Sequence, residues 1–279
     1  MKNFLLIPNK QKDKELTLTG YIKGELEARG AVCHVCDEYR PYDPSPLRVP
    51  EHTECILVIG GDGTILEAAG RLVGQNIPLL GVNLGTMGFL ADVDLNELPD
   101  AIEDLINDKY KLERRIMLRA EVYKQGKLVS SLHALNDFVI SRQISSRVIG
   151  LSVKINGAPI ERYHADGVIL CTPTGSTGYN LSAGGPIINP TCKNFVLTPI
   201  CPHSLATRSV VLAKGDEVIL KLENIRHGQR EEAAISADGR EGIPMEPGDW
   251  VRIYKSEEVT PLIKMKEVSF VTILKDKLL

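Results

Sequence analysis

The sequence lacks an excess of charge of either sign, and it lacks long hydrophobic runs. Its 279 residues carry a formal net charge of −3 at pH 7, so no overall positive field attracts nucleic acid or an anionic membrane. The apolar run near the start, residues 4–7, ends at Pro8 and is too short for a signal-peptide core or a membrane span. We therefore expect a cytoplasmic protein that binds neither nucleic acid nor membranes.

The cysteines lack a pattern that would indicate a metal or redox site. Cys33 and Cys36 have CxxC spacing, but no second Cys/His pair at zinc-finger spacing accompanies them. Thiols in a cytoplasmic protein are expected to be reduced. We therefore predict that the cysteines are structural.

Residues 1–112 alternate between predicted strands and helices. Such alternation is typical of a parallel sheet flanked by helices, and ligands of such sheets bind at the carboxyl ends of the strands. Two glycine turns, 60–63 and 85–88, lie at such ends. The predicted strands are Phe4–Pro8, Ala31–Cys36, Ile56–Ile59 and Pro78–Val82, and the predicted helices are Lys14–Arg29, Thr64–Leu72 and Leu98–Asn107.

From about Glu113 the segments become short and rich in β-branched residues, with turn signals such as Asn156-Gly157 and Asp238-Gly239 between them. The strands predicted here are Arg119–Val122, Ser131–Leu135, Phe138–Ser141, Leu151–Ile155, Gly167–Cys171, Phe195–Pro199, Ser209–Leu212, Glu217–Leu222, Ala234–Ala237 and Trp250–Tyr254. We therefore predict a fold with an α/β N-terminal domain containing a parallel sheet, over 1–112, and an all-β C-terminal domain, over 113–256. Residues 257–279 contain one more predicted strand, Ser269–Leu274, and we expect this segment to return to the first domain.

The glycine turn Gly60-Gly61-Asp62-Gly63-Thr64 follows a buried strand and indicates phosphate chemistry. Glycine amides at the start of a helix bind phosphate oxygens. A carboxylate at this place would repel phosphate, but it suits a base that takes a proton from a hydroxyl, or a group that acts through magnesium. Because the sequence has no Gly-x4-Gly-Lys-Ser/Thr motif, we expect the 60–64 and 85–88 turns to hold the donor.

Three polar clusters in the second half are candidates for binding residues. Asn136-Asp137 could read a base and hold ribose hydroxyls, or form an ordinary polar turn. His164-Ala-Asp-Gly167 could be functional, or a capped turn with a solvated histidine. Thr172-Pro-Thr-Gly-Ser-Thr-Gly-Tyr179 could bind phosphate or ribose with Tyr179 against a ring, or simply cap a helix.

In their order and spacing these motifs resemble the NAD kinase family, and the resemblance extends from about residue 1 to residue 274. Asn83-Leu-Gly-x-x-Gly-Phe-Leu90 and Pro202-His-Ser-Leu205 are similar to the family as well. The glycine-aspartate turn alone is less specific, because diacylglycerol and sphingosine kinases have a similar one. The Thr172–Tyr179 motif, combined with Asn136-Asp137, is what points to NAD kinases.

The resemblance implies transfer of the γ-phosphoryl group of ATP to the 2′-hydroxyl of the adenosine ribose of NAD, giving NADP. It implies that Asp62 is the base, that Mg²⁺ or another divalent metal bridges the donor phosphates without an assigned protein ligand, and that the protein forms a homodimer or homotetramer. The implied NAD-binding residues are Asp62, Gly63, Asn136, Asp137, Arg147, His164, Asp166, Thr177, Gly178, Tyr179, Asn180, Leu181 and Ser182, and the implied donor loop comprises Gly60, Gly61, Thr64, Gly85 and Gly88.

The sequence also departs from the family pattern. Thr86 and Met87 stand where many relatives have a basic residue and a leucine, which leaves the handling of the donor open. Arg240, after the Asp238-Gly239 turn, is a candidate contact to a substrate phosphate.

Two other functions are compatible with parts of the sequence. A lipid kinase would share the glycine-aspartate turn, but it needs an acyl pocket or a membrane-binding surface, and the sequence has no basic amphipathic helix. A module that senses NAD without catalysis would share the binding motifs, but it would gain little from Asp62 beside phosphates.

Overall fold

A computed structural model describes residues 1–36, 45–85, 88–143, 148–204, 207–225, 232–266 and 268–278. The chain divides into two compact units. Unit 1 contains residues 1–115 and 259–279, and unit 2 contains residues 116–258. Both boundaries fall inside long strands, β5 (Lys111–Lys124) and β16 (Trp250–Lys264).

Unit 1 is built on a parallel sheet with the strand order β2-β1-β3-β4, and the end of β16 lies beside β4. The residues of β3 and β4 are buried throughout, as continuous apolar runs in a parallel sheet require. The strands are β1 (Asn3–Pro8), β2 (Val32–Val35), β3 (Cys55–Gly60) and β4 (Leu79–Asn83), and the helices are α1 (Thr17–Ala28), α2 (Asp62–Arg71), α3 (Leu98–Ile106) and α5 (Phe270–Leu278).

The first three helices of unit 1 follow the strands of the parallel sheet, and the core of this unit lies between sheet and helices. Helix α3 buries Leu98, Ala101, Ile102 and Leu105, which share one face at helical spacing. Full burial of one such leucine or isoleucine contributes roughly 1.5–3 kcal/mol. None of the helices in the described ranges is long and apolar enough to cross a membrane.

The prediction of a strand over 269–274 is wrong, because the structure has helix α5 there. The β-branched residues Val271, Thr272 and Ile273 suggested a strand. Ser269 supplies the signal that was missed, since its Oγ accepts a hydrogen bond from the N–H of Thr272 at 3.2 Å, as an N-cap does. A local cap therefore prevails over a weak strand propensity.

Unit 2 contains two antiparallel sheets. One has the order β16-β13-β8-β9, with β5 paired to β16 and β6, and the other has the order β12-β11-β10-β7-β14-β15. Their inner faces share one core that includes Phe138, Leu170 and Phe195. The remaining strands are β6 (Lys127–Ala134), β7 (Asp137–Arg142), β8 (Ile149–Ile155), β9 (Ala158–Ala165), β10 (Gly167–Cys171), β11 (Phe195–Ile200), β12 (Val210–Leu212), β13 (Glu217–Glu223), β14 (Ala233–Ala237) and β15 (Ile243–Met245).

The predicted fold class is confirmed, with parallel strands in the N-terminal α/β part and antiparallel strands in the β part. Strands β9 and β15 were not predicted. Strand β9 contains Pro159, and proline is rare inside strands. It follows a hairpin turn in which Asn156 and Gly157 have φ values of 51° and 79°, as a two-residue type I′ turn requires. A helical turn at Thr174–Thr177 and the short helix α4 (Tyr179–Ser182) interrupt the β part.

The CxxC cysteines lie buried on and beside β2, and neither of them forms a disulfide in the described chain. Burial raises the pKa of Cys33 to about 11, and the nearby Glu27 carboxylate adds to the shift. A thiol in this state is a poor nucleophile and metal ligand, which supports the structural interpretation.

Candidate active site

Asp62 is the first residue of α2, and only Gly61 separates it from the end of β3. Its carboxylate accepts three backbone hydrogen bonds from consecutive residues. The N–H of Phe89 donates to Oδ2 at 2.6 Å, and the N–H groups of Leu90 and Ala91 donate to Oδ1 at 3.1 Å each. The side chain therefore has one position, set by the segment that follows the second glycine turn.

The two glycine turns of unit 1 are packed against each other. The N–H of Leu84 donates to the carbonyl of Gly60 at 2.9 Å. A Cβ on Gly88 would overlap the Asp62 carboxylate, so only glycine fits at position 88. The structure thus brings together the predicted loop residues, which are Gly60, Gly61, Asp62, Gly63, Thr64, Gly85 and Gly88, while Thr86 and Met87 lie outside the described residues.

The hydrogen bonds of Asp62 leave a defined place for one more donor. An ionised carboxylate has about four lone-pair positions, two on each oxygen. Within the described part of the chain, Oδ1 accepts two N–H groups and Oδ2 accepts one. Oδ2 therefore retains one position that can accept a proton or a hydrogen bond from a substrate hydroxyl.

In unit 2, the Asn136-Asp137 turn is held by a carboxylate that sequence reasoning missed. Asp238 accepts the N–H of Leu135 at 2.8 Å on Oδ2, and those of Asn136 and Asp137 at 2.7 and 3.1 Å on Oδ1. Its side chain is only 1% exposed. The sequence signal was an Asp-Gly turn, which looks the same whether the carboxylate points to water or, as here, to another turn.

Asn136 carries a buried acceptor without a partner. Its Oδ1 has no hydrogen-bond partner among the described residues. An unsatisfied buried polar atom costs about 1–3 kcal/mol, so such atoms are rare outside functional positions. The amide is therefore suited to accept a hydrogen bond from the N–H group of a ligand.

Asp137 is buried beside a second carboxylate. Burial raises the pKa of Asp137 to about 7, and the neighbouring Asp238 charge adds to this effect. Burial also raises the pKa of Asp238, against the opposing effect of its three backbone donors. Asp137 is therefore poised to change charge near neutral pH.

The Thr172–Gly178 loop packs directly on Asn136. The Thr172 hydroxyl donates to the carbonyl of Leu135 at 2.6 Å, and the Thr172 N–H donates to the carbonyl of Asn136 at 2.8 Å. A Cβ on Gly175 would overlap the backbone of Asn136, and a Cβ on Gly178 would lie 3.6 Å from Asn136 Nδ2. The structure therefore joins two of the predicted motifs into one local group.

The predicted segment 177–182 contains both accessible and internal side chains. Tyr179 is 46% exposed and presents its ring for stacking. Asn180 is buried, and its amide donates to the carbonyls of Ser176 and Pro186 at 3.1 and 3.0 Å and accepts from the Thr198 hydroxyl at 2.7 Å. Thr177 and Leu181 are half-buried, and Ser182 is exposed.

Asp166 and His164 form a separate part of the predicted set. Arg142, which sequence reasoning missed, donates from Nε to Asp166 Oδ1 at 2.8 Å. His164 is exposed on β9, and its carbonyl accepts the N–H of His203 at 2.8 Å. Arg147 and Leu205 lie outside the described residues.

Arg240 has an internal role in unit 2. Its Nη2 donates to the carbonyl of His133 at 2.6 Å, and its Nε donates to the carbonyl of Ala237 at 3.1 Å. These bonds hold the guanidinium 4.0 Å from Asp238. The hydrogen bonds of the guanidinium thus stabilise the turn that carries Asp238.

The described ranges contain no group of three or more His, Cys, Asp or Glu side chains that could hold a metal ion. Asp62 does place carboxylate oxygens, which magnesium prefers, at the N-terminal end of α2.

Comparison with known proteins gives matches over most of the chain. Residues 12–110 match the ATP-NAD kinase N-terminal domain, and residues 135–265 match the ATP-NAD kinase C-terminal domain. An NAD kinase of Lachnoclostridium phytofermentans is 43% identical, with 99% of each chain covered. An NAD kinase of Agathobacter rectalis is 40% identical, with 100% of this chain and 99% of the relative covered.

Two solved structures are similar in fold. The yeast NADH kinase complexed with NADH superposes with a TM-score of 0.85 at 26% identity, covering 100% of this chain and 87% of the yeast chain. An NAD kinase from Archaeoglobus fulgidus in complex with ATP has a TM-score of 0.77 at 23% identity, covering 95% of this chain and 94% of the other.

Proposed function

The chain belongs to the NAD kinase family, and from that premise we propose how its residues perform the reaction. The protein phosphorylates NAD to NADP with ATP as co-substrate. We propose that Asp62 takes the proton of the 2′-hydroxyl as that oxygen attacks the γ-phosphorus. The bond between the γ-phosphorus and the oxygen that bridges the β- and γ-phosphates breaks, and ADP leaves. Family membership sets aside the lipid-kinase and NAD-sensing alternatives.

The observation that carries this proposal is the hydrogen bonding of Asp62. Three backbone N–H groups orient its carboxylate and leave one acceptor position on Oδ2. A ribose hydroxyl is a weak acid, so a base in a set position lowers the barrier. General bases of this kind contribute typically about 10²–10⁴-fold to the rate.

Unit 2 supplies, in this proposal, the residues that bind NAD. The Oδ1 of Asn136, which has no hydrogen-bond partner among the described residues, accepts a hydrogen bond from the amino group of adenine. Asp137 accepts hydrogen bonds from ribose hydroxyls. The exposed ring of Tyr179 packs at the adenine end. The other residues of unit 2 assigned to NAD are Arg147, His164, Asp166, Thr177, Gly178, Leu181 and Ser182. Asn180 holds the 177–182 segment in shape from inside.

The donor lies at the Gly60–Thr64 and Gly85–Gly88 turns. The amides at the start of α2 suit phosphate oxygens, and the missing Cβ atoms of Gly61, Gly63 and Gly85 leave room for a ligand to approach. Mg²⁺ or another divalent ion would be held by the donor phosphates near the Asp62 carboxylate, and it would neutralise charge on the transferring group.

We also propose a cytoplasmic homo-oligomer. The absence of disulfides in the described chain suits a reducing compartment. Closed homo-oligomers are the commonest assemblies of enzymes. Size-exclusion chromatography with light scattering tests the assembly, and a monomer at micromolar concentration would contradict it.

The direct test is NADP formation from NAD, ATP and Mg²⁺ by purified protein, read with an NADP-specific dehydrogenase. Asp62→Asn should lower kcat by about 10²–10⁴-fold while the KM for NAD changes little. Because the new side-chain amide would turn its NH₂ group toward at least one of the three backbone donors, binding of ATP is measured alongside. A variant that binds ATP and still turns over at the wild-type rate would exclude Asp62 as the base.

A further inference from the structure

Lys12 lies at both glycine turns of unit 1. It belongs to the loop that follows β1, and its Nζ is 3.4 Å from the position that a Cβ on Gly61 would occupy. The same atom is 3.5 Å from the corresponding position at Gly85. A single ammonium group therefore lies beside Gly61 and Gly85, one glycine of each turn.

The loop that carries Lys12 is anchored to those turns. The N–H of Asn9 donates to the carbonyl of Ile59 at 2.8 Å, and its Nδ2 donates to the Thr64 hydroxyl at 3.0 Å. The N–H of Lys12 donates in turn to the carbonyl of Asn9 at 2.9 Å. Asp13 is buried and accepts both the N–H and the hydroxyl of Thr19, at 2.9 and 2.6 Å.

Lys277 approaches Asp62 from the C-terminal helix α5. Its Nζ is 4.5 Å from the ring centroid of Phe89, whose backbone N–H donates to Asp62. Partial burial lowers the pKa of Lys277, and the opposing charges of Asp62 and Asp94 limit that shift. The ammonium is thus held by an aromatic face next to the base.

Neither lysine is neutralised by a carboxylate in the described part of the chain. Ion pairs within 4 Å occupy three other lysines of this unit. Lys23 pairs with Glu27 at 3.7 Å, Lys264 with Asp92 at 2.8 Å, and Lys266 with Glu97 at 2.6 Å. Lys12 and Lys277 form no such pair among the described residues. Two positive charges therefore remain for a ligand.

We propose that Lys12 and Lys277 bind the terminal phosphates of the phosphoryl donor, a triphosphate or longer polyphosphate chain. The proposal rests on the function proposed above. The transferring group spreads negative charge over three oxygens, and Asp62 alone would repel it. Lys277 offsets that repulsion at the base, and Lys12 takes the part that a P-loop lysine has elsewhere.

The test uses inorganic tripolyphosphate, because its binding requires neither NAD nor turnover. Isothermal titration compares the wild-type chain with Lys12→Met and Lys277→Met. Lys14→Met and Lys275→Met are matched controls, since they remove the same charge from exposed positions on the same loop and helix. Thermal unfolding checks that each variant is folded, and Lys277→Arg and Lys12→Arg keep the charge.

We expect each methionine variant to bind tripolyphosphate at least tenfold more weakly, with a matching rise in the KM for ATP and little change in the KM for NAD. The arginine variants and the matched controls should stay within threefold of the wild type. Tripolyphosphate binding that is unchanged in folded Lys12→Met and Lys277→Met, or absent in the wild type, would overturn the proposal. Lysine-dependent binding without NADP formation would instead refute the proposed function alone.

Discussion

At the scale of single residues, two aspartates share one local geometry. Asp62 accepts the N–H groups of residues 89–91, and Asp238 accepts those of residues 135–137. In each case one carboxylate satisfies three consecutive amides that would otherwise lack acceptors. Each aspartate therefore determines the shape of a binding segment far away in sequence, whatever its part in the chemistry.

Asp238→Ala should destabilise the protein and weaken NAD binding together. It leaves three amides without their acceptor, and each costs about 1–3 kcal/mol when buried, so we expect a loss of about 3 kcal/mol or more in the free energy of unfolding. The displaced turn should raise the KM for NAD by about tenfold, equivalent to 1.4 kcal/mol of binding. Urea unfolding and steady-state kinetics measure the two effects.

Glu241→Ala is the control for Asp238→Ala, because Glu241 is an exposed carboxylate three residues further along the same turn. Its effect on unfolding should stay within about 0.5 kcal/mol. An unchanged KM for NAD in Asp238→Ala would show that the turn keeps its shape without the carboxylate.

Asp137 should make NAD binding depend on pH near neutrality. Its pKa is raised to about 7, so lowering the pH from 8 to 6 protonates the carboxylate that accepts ribose hydroxyls. We expect the KM for NAD to rise about tenfold over this interval, and Asp137→Asn to remove the dependence while raising the KM at pH 8. A flat profile in the wild type would contradict the assignment.

The raised pKa of Asp137 also makes the free energy of unfolding depend on pH. The folded pKa of Asp137 lies above the value of about 3.9 for an unfolded chain, so the folded state binds the proton more tightly. The stability that this group contributes is fully present below about pH 4 and is lost as the pH rises to about 7. Urea unfolding of Asp137→Asn should show a smaller decline across that window than the wild type.

At the scale of elements, the local sequence of α5 contains one misleading signal for its secondary structure and one correct signal. The β-branched residues at 271–273 favour a strand by propensity, whereas Ser269 caps a helix that contains them. The prediction of α3 succeeded because its apolar residues recur at helical spacing and are buried together. The sequence of β9 gives a weak strand signal because it contains Pro159 and has Ile160 as its only β-branched residue, although the Asn156-Gly157 turn before it is a hairpin signal.

Ser269→Ala should loosen α5 and, through Lys277, weaken donor binding. Loss of an N-cap costs about 1 kcal/mol, so amide hydrogen exchange of residues 272–277 should accelerate several-fold. Ser269→Asp restores a capping side chain and should behave like the wild type. If Ser269→Ala changed neither exchange nor the KM for ATP, the cap would not support the helix.

At the scale of the whole molecule, the residues of the site were easier to predict than their connections. Asn136, Asp137 and the Thr172 loop were recognisable as motifs, and the structure joins them in one local group. Asp238 contacts Asn136 across 102 positions of sequence, and Lys277 reaches Phe89 from the other end of unit 1. Contacts of this kind have no local signal, because they depend on strand order rather than on neighbouring residues.

The full length of strand β16 also lacks a local sequence signal. Only Trp250–Tyr254 was predicted as a strand, because Ser256, Glu257 and Glu258 interrupt the apolar pattern. The strand continues through them to Lys264, and its end pairs in parallel with β4 through Leu262 and Leu79. Tertiary pairing therefore prevails over local composition in an element that belongs to both units.

Gly88 and Asp62 constrain each other's substitution, because a side chain at position 88 would occupy the space of the Asp62 carboxylate. A mutation that adds a methyl group at 88 becomes tolerable only after position 62 has been shortened, and shortening position 62 removes the base. A substitution at position 88 is therefore tolerated only if the substitution at position 62 comes first. A homologue with alanine at the equivalent of 88 should be a pseudokinase, recognisable by a residue that takes no part in the chemistry.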